Sequence, residues 1–141
     1  MSQDPEKYLL LMPSWTGDGP QSYAGIKVVA VHPQNAQLHG VTSIHGIYYL
    51  IDGATGQPLC TMDGTRMTVW RTAAASALAS SYLSRPDSSE LTMIGTGALA
   101  PFMIRAHMAV RPITRVNLWN HNIRRAHELA QELSDQGLPV T

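Results

Sequence analysis

A glycine-rich turn between an apolar strand and a helix constrains the fold of this chain more than any other feature of its sequence. Residues 91–94 are apolar, Gly95-Thr96-Gly97 forms a tight turn, and residues 98–110 follow a helical pattern. The chain then repeats the arrangement, with a strand at 115–119 and a helix at 123–136. Strands that alternate with helices in this way pair in parallel, so the second half predicts the βαβα opening of an α/β sheet.

The first half of the chain has the pattern of antiparallel β-structure. Residues 25–31 are a β-branched run, residues 41–51 are a second candidate strand, and residues 57–62 return after a five-residue turn that contains glycine. This pattern predicts an antiparallel sheet of at least three strands. In residues 1–22, prolines and glycines break any regular pattern, so no strand is expected there.

An alanine-rich helix is predicted between the two halves, over residues 66–84, and it ends there because Pro86 disfavours helical backbone at Arg85. In the last helix, Asn122 is expected to form the N-terminal cap and Gly137 to mark the end. The stripe of the alanine-rich helix that we expect to be buried consists of Met67, Trp70, Ala74, Ala77, Leu78 and Ser81.

The charge balance and the cysteine count exclude several classes of protein. The 141 residues carry a net charge of zero, which argues against a protein that binds nucleic acid or an anionic membrane. The apolar stretches are shorter than the roughly 18 residues of a membrane span, and the start of the chain lacks the basic segment of a signal peptide. Cys60 is the single cysteine and the six histidines lack ligand spacing, so we expect no disulfide, no metal and a cytoplasmic location.

The spacing Gly95-x-Gly97-x-x-Ala100 is typical of turns that bind dinucleotides. The first glycine makes the turn, the second lets the backbone approach a pyrophosphate, and the third small residue lets the helix pack on the strand. Free N–H groups at the start of the helix would face the phosphates. The alternative is a glycine-rich turn that has no ligand.

The residue that follows the next strand bears on which dinucleotide would bind. An Asp or Glu at this position usually binds the ribose hydroxyls. Here the residue is Asn120, which is neutral and does not repel a 2′-phosphate. His121, Arg124 and Arg125 could attract such a phosphate, which favours NADP over NAD, although the two arginines fit equally well as solvated charges on a helix face.

Two basic residues lie where a substrate carboxylate could bind. Arg71 lies beside the expected apolar stripe among small neighbours, and its guanidinium fork suits a carboxylate. Lys27 shares a strand face with Val29 and Val31, so it could bind a carboxylate or transfer a proton if burial lowers its pKa. The alternatives are an arginine that extends to solvent and a lysine on the wet face of an edge strand.

These features, in this order, resemble the ornithine cyclodeaminase/mu-crystallin family. The family includes ornithine cyclodeaminase, alanine dehydrogenase and reductases of cyclic imino acids such as pyrroline-2-carboxylate. The resemblance therefore implies a homodimeric enzyme that uses NAD or NADP on a small amino or imino acid. It rests on GIKVVAVHPQN, TSIHGIYYLIDGATGQPLCTMDG, MTVWRTAAASALASSYLSRPDSSELTMIGTGALA and VNLWNHNIRRAHELA.

The resemblance also implies roles for individual residues. Lys27 is implied to bind substrate, and Arg71 to hold the substrate carboxylate beside the nicotinamide and to contact the cofactor. Leu99 replaces a glutamine that is usual in the family, and His121 stands where mu-crystallin has arginine, which weakens the preference for NADP. The other implied cofactor contacts are Thr42, Gly95, Gly97, Ala98, Leu99, Ala100, Asn120 and His121.

The chain is short for such an enzyme. A complete dinucleotide domain needs several βαβ units of at least about 30 residues, and only 52 residues run from Glu90 to Thr141. The resemblance divides the chain into part of a substrate-binding and dimerisation domain, 1–85, and the first part of a Rossmann domain, 86–141. The catalytic aspartate of the family has no counterpart, so we expect a partial chain without activity of its own. The alternative is a short, non-catalytic relative that retains nucleotide binding or dimerisation.

Overall fold

The computed structural model describes residues 7–17, 19 and 21–140. The chain divides into two compact units, the first extending to Thr68 and the second beginning at Val69. This division falls within a continuous helix, α2 (Gly64–Leu83), whereas the sequence pattern places the domain boundary after the helix. The domains 1–85 and 86–141 therefore stay a prediction.

An antiparallel sheet makes up most of the first unit, as the sequence predicts. Its strand order follows the chain, and each strand pairs antiparallel with the next. At the middle of the sheet, Lys27 lies between Met12 on one neighbouring strand and Tyr48 on the other. The elements are β1 (Tyr8–Trp15), β2 (Tyr23–Val31), the short helix α1 (Asn35–Leu38), β3 (Ile44–Asp52) and β4 (Pro58–Asp63).

Strand β1 is absent from the sequence prediction. It pairs with β2 along its whole length, from Tyr8 opposite Val31 to Trp15 opposite Ala24. Pro13 lies within it, which an edge strand tolerates because one of its sides needs no backbone donor. The expectation of no regular structure in residues 1–22 is therefore wrong for 8–15, while residues 1–6, 18 and 20 lie outside the described part of the chain.

Two glycines let the sheet approach the start of α2. A Cβ added to Gly64 would lie 2.7 Å from the carbonyl carbon of Gly46, closer than real side chains come. The hydroxyl of Thr65 accepts a hydrogen bond of 2.9 Å from the Gly46 N–H. Asp63 caps the helix, since its Oδ1 accepts the N–H groups of the first turn at 2.8 and 3.0 Å. The helix therefore begins in direct backbone contact with β3.

The buried face of α2 in the second unit differs from the predicted stripe. Ala73 and Ala77 are buried, while Trp70 and Leu78 are 50% and 58% exposed and Ala74 is exposed. Of the predicted stripe, only Ala77 is buried. The prediction was based on the larger apolar side chains, but small residues form the covered face of this helix. The predicted stripe therefore did not coincide with the buried face.

The second unit contains the predicted parallel α/β arrangement. Strands β5 and β6 pair in parallel, with Leu91 opposite Val116, and Val140 makes a further parallel bridge to Val116. The core between the sheet and the helices consists of Ala100, Ile104, Val116, Leu129 and Leu133. The elements are β5 (Glu90–Ile94), α3 (Ala100–Val110), β6 (Arg115–Trp119) and α4 (Ile123–Asp135).

The ends of α4 confirm the predicted capping residues. The side chain of Asn122 accepts a hydrogen bond from the Arg125 N–H at 3.4 Å, and Gly137 follows the helix with a φ of +81°. Helix α3 begins at Ala100, two residues later than predicted, because the turn after β5 extends through Leu99. The backbone from Gly95 to Leu99 is thus a loop, referred to below as the glycine loop.

Candidate functional site

The glycine loop joins the end of β5 to the start of α3. Gly95 has a φ of +101°, which side chains rarely tolerate, and its N–H donates to the carbonyl of Trp119 at 2.8 Å. Leu99 is the N-cap residue of α3, and its side chain has no acceptor for the first N–H groups of the helix. The loop is therefore fixed to the sheet at one end. At the other end the N–H groups of Ala100 and Phe102 donate to the carbonyls of Gly97 and Leu99 at 3.0 and 3.1 Å, so donors for a ligand would come from the loop itself.

Gly97 is the position in this loop that the fold itself does not require to be glycine. A Cβ built on Gly97 meets no heavy atom of the described residues within 4 Å, and the backbone there has no positive φ. Gly95, by contrast, is needed for its conformation. Open space above a backbone turn at an uncapped helix start fits a pyrophosphate, which needs close approach and N–H donors.

Asn120 connects the glycine loop to the start of α4. Its Nδ2 donates to Thr96 Oγ1 at 2.5 Å, and its Oδ1 accepts the N–H of Asn122 at 2.9 Å. The neighbouring His121 and Arg125 are exposed, and Arg124 forms an ion pair with Glu128 at 3.6 Å. Asn120, at the end of β6, is thus neutral, and its hydrogen bonds hold the glycine loop against the start of α4. The part that Thr96 has in this connection is not evident from the sequence.

The contacts between α2 and α3 place Arg71 at the same end of the second unit as the glycine loop. Trp70 packs edge-on against Phe102, with ring centroids 5.0 Å apart and an interplanar angle of 76°. Phe102 belongs to the first turn of α3, directly after the loop. Arg71 follows Trp70 and is exposed. Arg71, the glycine loop and Asn120 therefore lie in one unit, and their membership of a single site stays a prediction.

Farther along the same two helices, Ser76 Oγ and His107 Nε2 share a hydrogen bond of 3.0 Å. Burial lowers the pKa of His107 from its ordinary value of 6.5, because the interior disfavours the charged imidazolium. The unfolded chain therefore takes up a proton near pH 6.5 that the folded chain takes up only at lower pH.

We expect the free energy of unfolding to fall as the pH decreases from about 6.5 towards the lowered pKa of His107. The measurement is urea denaturation of the chain at pH 7.5 and pH 5.5, compared with a His107→Gln variant whose amide can still bind Ser76. The variant should lose less stability on acidification. Equal losses in the two proteins would contradict a lowered pKa at this position.

Lys27 is buried in the first unit. It is 5% exposed, and its Nζ donates to Thr68 Oγ1 at 3.2 Å. The Thr68 hydroxyl in turn donates to the carbonyl of Gly64 at 2.7 Å. Because β2 pairs on both sides, the alternative of a lysine on an edge strand is wrong. Thr42 also belongs to this unit, where its exposed hydroxyl donates to the carbonyl of Ile44 at 3.2 Å.

Two kinds of feature are absent from the described residues. Within residues 7–17, 19 and 21–140, no three His, Cys, Asp or Glu side chains come close enough together to hold a metal ion. The helices in that same part of the chain lack the combination of length and apolar character that a membrane span needs.

Comparison with known proteins assigns the family. The model of the ornithine cyclodeaminase/mu-crystallin family matches residues 1–141, the whole sequence. The chain belongs to this family. Protein SAR DEFICIENT 4 of Arabidopsis thaliana is 47% identical over 127 residues, which are 89% of this chain and 39% of that protein. Delta(1)-pyrroline-2-carboxylate reductase of Colwellia psychrerythraea is 40% identical over 124 residues, which are 88% of this chain and 38% of the reductase.

A solved structure shares the same fold. Delta(1)-pyrroline-2-carboxylate reductase of Thermococcus litoralis, in complex with NADH and L-proline, superimposes with a TM-score of 0.84 at 34% identity. The match covers 96% of this chain and 41% of that protein. This family member therefore spans about two fifths of the length of the relatives it matches, which agrees with the sequence-based expectation of a partial chain.

Proposed function

We propose that this chain is the nucleotide-binding and substrate-orienting part of an NAD(P)-dependent oxidoreductase that acts on a small amino or cyclic imino acid. The open space above Gly97, beside the uncapped start of α3, is the observation that carries the proposal. The similarity to pyrroline-2-carboxylate reductases favours reduction of a cyclic imino acid over cyclodeamination of ornithine.

The proposed roles of the residues follow from their chemistry. The backbone N–H groups of Gly97, Ala98 and Leu99 hold the pyrophosphate, because N–H groups before a helix bind anions. Gly95 and Ala100 shape the turn around it, since their own N–H groups donate to the carbonyls of Trp119 and Gly97. When bound, NAD(P) supplies or accepts a hydride at the α-carbon of the substrate. Arg71 orients the substrate carboxylate through its guanidinium fork and contacts the cofactor.

The remaining proposed contacts are to the substrate carboxylate and to the nucleotide. Lys27, already held by Thr68, orients the carboxylate as a buried positive charge. Asn120 and His121 contact the adenosine ribose, and Thr42 is a further proposed cofactor contact. The chain lacks a counterpart of the catalytic aspartate that the family resemblance implies. We therefore propose that turnover requires the remaining length seen in the relatives.

We further propose a cytoplasmic location and a homodimer for the complete protein. Strand β1 supports the homodimer, since among the described residues it pairs only with β2. Its apolar side chains are exposed, including Leu9 at 67% and Trp15 at 75%. A long apolar edge strand of this kind is usually covered in a native protein.

The test is a titration of the chain with NADH and NADPH, followed by tryptophan quenching, with Gly97→Val as the deciding variant. Valine at Gly97 occupies the space proposed for the pyrophosphate and meets no atom of the described residues. We expect it to keep the thermal stability and to weaken binding at least about tenfold, or about 1.4 kcal/mol.

Gly17→Val is the matched control, because a Cβ at Gly17 also meets no heavy atom of the described residues within 4 Å. It lies outside the glycine loop and should bind nucleotide as the unchanged chain does. Equal binding by the Gly97→Val and Gly17→Val variants would contradict the proposed site. Failure of the unchanged chain to bind either nucleotide would contradict nucleotide binding by this chain altogether.

A further inference from the structure

Arg111, directly after α3, makes five hydrogen bonds, although the proposed function assigns it no role. Its Nη2 donates to the carbonyls of Ser80 and Ser81 at 2.8 Å and of Ser84 at 3.0 Å. Its Nε donates to Ser84 Oγ at 2.8 Å, and its Nη1 donates to the carbonyl of Val110 at 2.7 Å. The guanidinium is partly buried, and four of its five hydrogen bonds go to the C-terminal end of α2.

In this arrangement a side chain at the end of α3 donates hydrogen bonds to carbonyl groups at the end of α2. The last carbonyls of a helix carry partial negative charge, and the Ser80 carbonyl, which already accepts the Ser84 N–H at 2.9 Å, accepts from Arg111 as well. A cation there is favourable, and hydrogen bonds to charged groups are about twice as strong as neutral ones. Arg111 therefore joins the C-terminal ends of α2 and α3 through a rigid planar group.

Two further contacts join these helices. The covered face of α2 includes the buried Ala73 and Ala77, whose side chains carry no hydrogen-bonding group or charge. The ring contact of Trp70 with Phe102 and the single hydrogen bond of Ser76 to His107 are the other α2–α3 contacts described above. With five hydrogen bonds, Arg111 makes more directional contacts than either of these two pairs.

We propose that Arg111 is a positioning residue, which fixes α2 along α3 and thereby sets the place of Arg71 relative to the glycine loop. Both helices run in the same direction past each other, because Trp70, Ser76 and Ser80 meet Phe102, His107 and Arg111 in that order. A shift at the Arg111 end therefore displaces Arg71 at the other end. The functional part of this inference rests on the proposed contact of Arg71 with nucleotide.

The first test measures helix placement without any ligand. Spin labels at Ala79→Cys on α2 and Ala109→Cys on α3, both exposed positions, report the distance between the helices in a Cys60→Ser background. Arg111→Ala should broaden the distance distribution. Arg111→Lys, which keeps the charge but lacks the planar fork, should restore it only in part and also serves if the alanine variant does not fold.

Arg85→Ala is the matched control for this measurement. Arg85 lies just beyond the same end of α2, but it is exposed and pairs with Asp87 at 2.8 Å. Its removal should leave the distribution unchanged. A narrow distribution in both Arg111 variants would overturn the proposal.

The second test is a double-mutant cycle on NADH affinity with Arg71→Ala, Arg111→Ala and the combination. Arg111→Ala should weaken binding by about threefold to tenfold, and this loss should disappear when Arg71 is already alanine. The loss of thermal stability should persist in both backgrounds. Additive effects on NADH affinity would overturn the proposal, since they would show that Arg111 acts independently of Arg71. If the unchanged chain binds no NADH, the proposed function fails and the label distances alone decide the role of Arg111.

Discussion

Replacing Gly64 by alanine should strongly destabilise the first unit. The added Cβ would lie 2.7 Å from the Gly46 carbonyl carbon, 2.7 Å from the Ile47 nitrogen and 2.8 Å from its carbonyl carbon. These are backbone atoms of a paired strand, so relief requires that β3 or the start of α2 moves. Overpacking costs about 1–3 kcal/mol and occasionally more, and we expect the upper end of that range here.

The sign of the stability change in Gly64→Ala distinguishes the effect of close packing from that of helix propensity. In an exposed helix, exchange of glycine for alanine stabilises by about 1 kcal/mol. Chemical denaturation followed through Trp15, which lies in β1, reports on the first unit. Gly46→Ala should be milder, because the nearest atoms to its Cβ are 3.1–3.3 Å away, and Gly17→Ala should have no effect. A Gly64→Ala variant as stable as the unchanged chain would contradict the close approach.

Exchange of Asn120 for aspartate should lower the affinity for NADPH relative to NADH at least about tenfold. A carboxylate has nearly the shape of the amide, and its oxygens can accept from the Asn122 N–H and from the hydroxyl of Thr96. The connection between the glycine loop and α4 is therefore preserved. Only the charge changes, at the position where an acidic residue of a dinucleotide turn binds the ribose hydroxyls and disfavours a 2′-phosphate.

Asn120→Ala separates charge from loop geometry. It removes both hydrogen bonds of the side chain, so the glycine loop loses its connection to α4 and both nucleotides should bind more weakly by a similar factor. Titration of the three proteins with NADH and NADPH gives the two affinity ratios. An unchanged ratio in the Asn120→Asp variant would place the ribose away from this residue.

The second unit was largely predictable because its signals are local. The alternation of strand and helix, the cap at Asn122 and the stop at Gly137 each depend on neighbouring residues, and the structure confirms them. Strand β1 was not predictable in this way. Its backbone is stabilised by pairing with β2, and Pro13 suggested a break that an edge strand tolerates.

In the candidate site, too, local sequence features were predictable and contacts between distant residues were not. The spacing of Gly95 and Gly97 is readable in the sequence, and so is the oddity of a lysine among β-branched residues at Lys27. The partners of Asn120 and Arg111 are not, since they lie 24 and 31 residues away along the chain. Only the folded chain shows that Asn120 holds the glycine loop and that Arg111 holds α2.

The bridge of Val140 to Val116 determines the side on which the parallel sheet grows. Val116 already pairs with Leu91, so the bridge at Val140 adds to the sheet beyond β6 and leaves the opposite edge of β5 open in the described part of the chain. In a doubly wound sheet, such a first strand is the topological switch point, where successive crossovers turn to opposite sides and a crevice opens at the carboxyl end. Gly95 begins its turn at that end, so the crevice would open directly above the glycine loop.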